Sequence, residues 1–367
     1  VHSSSKKLNV FFERIIINRN IRKPLQHFCQ KGIQLGFLGA DQGGHIPAVQ
    51  QRLLCAVFVT HIHMHLVLKA CFADRDCMCV GEATFATAEN AASLVGDGRE
   101  LDMIFQFDLM DMDGDGSKWN PLPFDLMKFK DIITRWQSVL EWNTLFLGNH
   151  DQPRVVSRFG CTGTEELRVR SAKCLAAAMH LLRGTPFLYQ GEELGMTNFP
   201  FENEEQLRDV ESINLLHQSV DKAWAWRGIR AKGRDNARTP MQWSAARYAG
   251  FSSAEPWIAV NPNYPEINAE AERRDENSVL NFYKNLIALR NSAPALCGGS
   301  FAMLYPEHAQ LFVYERGGEG AIYTVVCNLS RAECAVPALR AGEIVLQNCD
   351  VTDTLPPYGA FVMRTVN

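Results

Sequence analysis

The sequence has no apolar run approaching the ~20 residues that a helix needs to cross a bilayer, and it has no excess of basic charge. Its 37 Lys and Arg stand against 41 Asp and Glu, a formal net charge of −4, so the electrostatic footprint of a nucleic-acid or anionic-lipid binder is missing. A disulfide framework is missing too: the 11 cysteines are odd in number and scattered from Cys29 to Cys349, the pattern of a reducing compartment rather than of a stapled secreted domain. Residues Val1 to Val10 lack the charged, apolar and small-residue succession of a leader. These absences predict a cytoplasmic protein with no membrane anchor and no nucleic-acid partner, acting on a neutral small molecule; a monomer is the expected state. What is present is an ordinary globular composition, 46% hydrophobic and 21% charged over 367 residues, enough for one large domain and a small one.

From Asp76 onward, short apolar runs alternate with longer amphipathic stretches, the pattern of repeated strand and helix units with parallel strands. Strands are predicted at Cys77 to Val80, Met103 to Phe107, Thr144 to Leu147 and Pro186 to Tyr189. Helices are predicted at Ala86 to Leu94, Asp125 to Leu140 and Glu165 to Leu182, with a last one near Glu276 to Arg290 that sets Val279, Phe282, Tyr283 and Leu286 on one face. This spacing suits a barrel and a doubly wound sheet equally. A stretch rich in Trp, Asn, Arg and Pro, 191–272, reads as one long loop, far beyond the ~12–15 residues at which loops become uncommon, and long loops after strand ends usually carry function. After the Pro/Gly/Ser punctuation at Ser292 to Ser300 the pattern turns to short β-branched and aromatic runs, a small antiparallel β-sandwich domain. Residues 1–75 show no clean repeat unit, so the expected division is 1–75, a degraded barrel remnant; 76–295, the barrel; and 296–367, the β domain.

Two strand ends carry reactive side chains. Val80-Gly81-Glu82 ends one strand with a carboxylate, and Leu147-Gly148-Asn149-His150-Asp151 ends another with an imidazole and a carboxylate. In a parallel barrel such groups converge at the C-terminal ends of the strands. In isolation Gly-Glu after a strand more often marks a solvated turn, and Asn149-His150-Asp151 can equally be a turn or helix cap. Asp111-Met112-Asp113-Gly114-Asp115-Gly116 starts like a calcium loop, but Leu122 stands where the closing Glu is expected, which predicts a solvated acidic turn. His61-Ile62-His63-Met64-His65 has alternate-residue spacing on a strand without an acidic or Cys partner, a poor metal site.

Three strings in order, TLFLGNHDQPRVVSRFG at Thr144 to Gly160, GTPFLYQGEELGMTN at Gly184 to Asn198 and GRDNARTPMQW at Gly233 to Trp243, resemble successive signatures of the α-amylase clan, glycoside hydrolase family 13. Within it they are similar to the oligo-1,6-glucosidase, dextran glucosidase and trehalose-6-phosphate hydrolase group, over roughly Asp76 to the C-terminus. The resemblance implies a (β/α)₈ TIM barrel, here incomplete, with a C-terminal β-sandwich. It also implies a retaining exo-α-glucosidase that hydrolyses α-1,6 bonds of short oligosaccharides, with α-1,4 bonds as a second possibility. Retaining enzymes use two carboxyl groups about 5–5.5 Å apart, one acid and one nucleophile. Glu82 matches the family's acid/base, whose pKa burial would raise. His150 and Asp151 match the pair that binds sugar hydroxyls at the cleavage subsite, with Asp151 the second catalytic candidate, and Arg238 resembles the arginine that holds the non-reducing-end glucose. No organic cofactor is implied, and no metal is expected, because the family's calcium-binding loop would fall in the N-terminal part that has no counterpart here.

The resemblance fails at one motif. The family's nucleophile lies in Gly-Phe-Arg-x-Asp, whereas this chain reads Gly36-Phe37-Leu38-Gly39-Ala40-Asp41. Leu38 takes the place of the arginine and Ala40 that of the aspartate, leaving Asp41 one residue late, on the opposite face of a strand. Only 40 residues precede Asp41 where three further units are expected at about 30 residues each, so the expectation is a truncated or frameshifted N-terminal part and an impaired enzyme. The alternatives kept open are a trehalose-6-phosphate hydrolase and a non-catalytic barrel protein.

Overall fold

The computed structural model describes residues 78–96, 101–318 and 320–366. Apart from Met78, these fall in one of the two units into which the chain divides. The segment 1–75, with Asp41 and the 61–65 histidines, lies outside the described residues, as does Cys77.

The first part is built from two parallel strand pairs and their helices. Strand β1 (Val80–Glu82) is followed by α1 (Ala88–Ala91), β2 (Met103–Phe105) by α2 (Asp108–Asp111) and α3 (Leu126–Val139), and β3 (Asn143–Leu145) by α4 (Val155–Phe159) and α5 (Glu165–His180), before β4 (Gly184–Pro186). Strand β1 pairs with β2, Glu82 opposite Phe105, and β3 pairs with β4, Asn143 opposite Gly184. The Thr144 hydroxyl donates to the Ile104 carbonyl at 2.7 Å and ties β2 to β3. Gly184 is required where it stands: its φ is +142°, and a Cβ there would lie 2.1 Å from the Asn143 carbonyl oxygen. Each long helix starts at a side-chain cap. Asp125 accepts from Met127 and Lys128 amides, and Thr164 accepts from Leu167, which satisfies amides that the helix itself cannot.

The stretch 191–272 is not a structureless loop. It holds α6 (Val210–Gln218), α7 (Lys222–Lys232), α8 (Asp235–Arg238) and α9 (Ala269–Arg274), capped by Asp209, Asp221 and Asn268 where caps are made. Phe199, Phe201, Leu207, Leu216, Ala225 and Ile229 give it a small core of its own with Trp119. The alternation of Trp with Arg and Lys hides a helical period there, and the three acidic or Asn caps are the signal that reveals it.

Helix α10 (Val279–Ser292) buries Val279, Phe282, Tyr283, Leu286 and Arg290, and α11 (Pro294–Gly298) leads into the strands. Strands β5 (Ser300–Leu304), β6 (Leu311–Gly318), β7 (Ala321–Asn328), β9 (Glu343–Gln347) and β11 (Ala360–Val366) form one antiparallel sheet in the order β5-β6-β7-β11-β9, and β8 (Cys334–Ala335) pairs with β10 (Thr354–Leu355). The period of two sorts the side chains onto two faces. Leu311, Val313, Val326, Phe361 and Met363 pack under the β8–β10 ribbon, while Phe312, Tyr314, Val325, Cys327 and Val362 join the core of α3, α5 and α10.

Candidate active site

The helices turn the C-terminal ends of the strands into a common edge. Phe105, Phe146 and Phe187, from the ends of β2, β3 and β4, meet edge-to-face with centroids 4.9 and 4.7 Å apart, and Glu82 stands at the end of β1, the neighbour of β2. Six residues beyond β3 the chain turns: the Asn149 side chain accepts from the Asp151 amide at 2.8 Å. Asn149 is thus the turn-former, and His150 and Asp151 project from the turn it makes.

Asp151 is the centre of a charged cluster. Arg238 at the end of α8 donates to its Oδ1 at 2.6 Å and, through Nε, to the His150 carbonyl at 3.1 Å. Arg234 lies 3.4 Å from the same oxygen, and His150 Nε2 lies 3.5 Å from Oδ2. Burial by itself would raise the Asp151 carboxyl, but the charges of His150, Arg234 and Arg238 outweigh it and hold the group below the usual carboxylate range. The carboxylate therefore stays ionised and remains over a third exposed, available to accept hydroxyl hydrogen bonds from a ligand.

Arg234 was not among the residues singled out by pattern, although it sits four residues before Arg238 in the same string, one helical turn away. It reaches further, to Glu211 at 2.6 Å and Asp209 at 3.0 Å, and Glu211 in turn meets Lys118 at 2.5 Å. The segment is held from behind by Arg154, fully buried, whose guanidinium donates to the carbonyls of Asn236, Gln190 and Thr239 at 3.0, 2.6 and 3.3 Å.

Two expectations need correction. Glu82 is exposed, so the described residues supply none of the burial expected around it. The acidic turn at 111–116 is not simply solvated: Asp113 is only 4% exposed and is bonded to Arg158 and Lys232, which compensate the charge that a metal or water would otherwise meet. Asp41 lies outside the described residues, so the structure joins His150, Asp151 and Arg238, places Glu82 two strands away along the same edge, and does not reach the nucleophile position.

A profile of the alpha-amylase catalytic domain matches residues 56–299. The chain belongs to the α-amylase family. An oligo-1,6-glucosidase of Bacillus cereus is 40% identical over 98% of this chain and 70% of its own length. That alignment takes 397 positions, more than the 367 residues of the chain, so it opens gaps within it. It also carries the similarity well upstream of Asp76, where the resemblance in the sequence begins. A trehalose-6-phosphate hydrolase of Bacillus subtilis is 40% identical over 83% of this chain and 58% of its own. Among solved structures, the trehalose-6-phosphate hydrolase of Bacillus licheniformis superposes with a TM-score of 0.79 at 35% identity, over 84% of this chain and 60% of that one. The chain spans between 48% and 70% of the length of eight curated relatives, the two named above among them. In this family the two parallel strand pairs are part of a TIM barrel, and β5 to β11 are the C-terminal antiparallel domain. No helix among the described residues is long and apolar enough to cross a membrane.

Proposed function

We propose that the chain is a retaining exo-α-glucosidase by descent, acting on α-1,6 and α-1,4 bonds of short oligosaccharides. The observation that carries the reading is Asp151 held ionised and part-exposed between Arg238, Arg234 and His150, a set of acceptors and donors suited to the adjacent hydroxyls of one terminal glucose. The relatives named for oligo-1,6-glucosidase activity support the linkage. In the mechanism, Glu82 protonates the leaving oxygen, and the cluster around Asp151 holds the sugar by bonds that tighten toward the transition state. The covalent step needs a carboxylate on the opposite face of the anomeric carbon. Because Ala40 occupies the aspartate's place in the 36–41 string, turnover is slow, the loss of one member of a covalent unit costing several orders of magnitude. The enzyme needs no organic cofactor and works as a cytoplasmic monomer.

The test is glucose release from isomaltose, maltose and trehalose-6-phosphate by the purified chain, beside titration with glucose. Slow release from isomaltose, with both release and glucose binding lost in Asp151→Asn, is the expected result. Preference for trehalose-6-phosphate would transfer the chain to the second activity found among its relatives. Absence of glucose binding would leave a non-catalytic barrel. Robust turnover abolished by Asp41→Asn would show that Asp41 is a working nucleophile after all.

A further inference from the structure

Asp113 touches no residue of the Asp151 cluster, yet it is the point at which both halves of that cluster are fastened. Arg158 of α4 donates to it twice, Nε to Oδ2 at 2.9 Å and Nη2 to Oδ1 at 2.5 Å. Lys232, the last residue of α7, donates to Oδ1 at 2.6 Å. The three side chains are 4% exposed or less. Arg158 uses its remaining donors on the Met110 carbonyl at 2.5 Å and on Gln152 Oε1 at 2.7 Å, and Gln152 is the residue after Asp151. Lys232 stands two residues before Arg234 and six before Arg238. The loop that carries Asp113 is itself fixed, its Asp113 carbonyl accepting from Leu122 at 2.8 Å and its Trp119 backbone packed where Gly228 of α7 leaves no room for a Cβ.

We propose that Asp113 is a positioning residue of the sugar pocket, locking the turn that carries His150 and Asp151 to the segment that carries Arg234 and Arg238. The two segments are 83 residues apart between Asp151 and Arg234; behind the site Arg154 ties them through the Asn236 and Thr239 carbonyls, but at the pocket itself their direct contacts are part-exposed ion pairs that bend easily. A dry carboxylate shared by an arginine from one and a lysine from the other gives them a common, rigid reference. One carboxylate facing two cations also explains the direction of both titrations. Burial would raise Asp113, but Arg158 and Lys232 hold it below the usual carboxylate range. Burial and the neighbouring Arg158 charge lower Lys232 to about 8 against the pull of Asp113.

The proposal rests on the reading of the Asp151 cluster as a glucose site, and the experiment separates the two. Lys232→Met leaves Asp113 and Arg158 as a balanced buried pair, so the fold is kept while the 233–239 segment is released; Asp113→Asn releases both sides; Lys232→Arg restores the donor. Hydrogen exchange and glucose titration of the full chain are read for each. The expected result for Lys232→Met is faster exchange confined to 233–239, unchanged protection in α5, β6 and β7, and a roughly tenfold weaker glucose affinity, both reversed in Lys232→Arg. Unchanged exchange in 233–239, or exchange accelerated equally through α5 and the sheet, would overturn the positioning role. A wild-type chain that binds no glucose would sink the glucosidase reading alone, because the exchange pattern still decides whether Asp113 couples the two segments.

Discussion

At the scale of residues, the site works through charge compensation, and its pH dependence follows. Asp151 has a lower pKa folded than unfolded, so the stability and binding that its ionised form contributes are present above the unfolded value, about 3.9, and are lost as pH falls through the lower folded one. Removing a cation should raise that folded value. Arg238→Gln is therefore expected to shift the acid limb of glucose binding to higher pH and to weaken binding at neutral pH; an acid limb that stays in place would show that Arg238 does not hold the Asp151 charge. His150, Asp151 and Arg238 were legible because each lies in a string whose order carries information beyond its own residue types. Arg234 lies in the same string, but its role depends on Asp209 and Glu211, which only the fold of the stretch 191–272 brings near. Asp113 was legible as part of an acidic turn but not as a buried group, because its partners arrive from 45 and 119 residues away.

At the scale of elements, helices were easier to place than strands. Asp125, Thr164 and Ser278 cap α3, α5 and α10 within a few residues of the expected starts, whereas β1 begins at Val80, where an end was expected, and β3 and β4 begin one and two residues early. A parallel strand of three residues is too short to show an alternation, and its apolar run continues into the following loop. One joint between elements illustrates what periodicity cannot show. Lys130, on the buried face of α3, donates its ammonium to the carbonyls of Tyr305, Pro306 and His308 at 3.1, 3.0 and 2.7 Å. Lys130→Met would leave the Pro306 and His308 carbonyls without their donor, the Tyr305 carbonyl keeping the His308 amide at 3.0 Å, and should cost about 2–3 kcal/mol, seen as a melting temperature lower by roughly 4–12 °C. Burial lowers Lys130 to about 8. A lysine with a folded pKa below its unfolded one binds its proton less tightly in the folded state, so its contribution makes the chain more stable as pH rises from about 8 toward 10.5. That rise should be smaller in Lys130→Met, and an identical slope in the two proteins would refute the assignment.

At the scale of the whole described unit, the C-terminal strands are docked on the helices through a core that runs without a break from Phe129 and Ala177 to Phe312 and Val362. The Tyr314 hydroxyl donates to the Ala177 and Ala178 carbonyls at 3.1 and 3.3 Å. Arg316, fully buried, donates to the carbonyls of Leu181, Leu296, Cys297, Gly299 and Ser300. Arg316→Met should therefore lower the melting temperature of strands and helices together, in one transition; two separate transitions, the sheet melting first, would show that the joint is not shared. The change from helical to alternating pattern near Ser300 was visible in the sequence. The continuity of the core beneath it was not, because each strand's inward face looks the same whether it meets another sheet or a helix.

Arg316 shares its manner of anchoring with Lys130, Arg154 and Arg290, the last donating to the carbonyls of His180, Leu182, Gly184 and Leu296. All four are buried cations whose acceptors are almost wholly backbone carbonyls rather than carboxylates. Dissolved ions screen pairs of exposed charges within a few ångströms at molar concentration but do not enter such dry joints. High ionic strength should accordingly loosen the part-exposed Asp151 cluster well before it loosens the framework, so that concentrated sodium chloride weakens sugar capture while the melting temperature stays nearly constant.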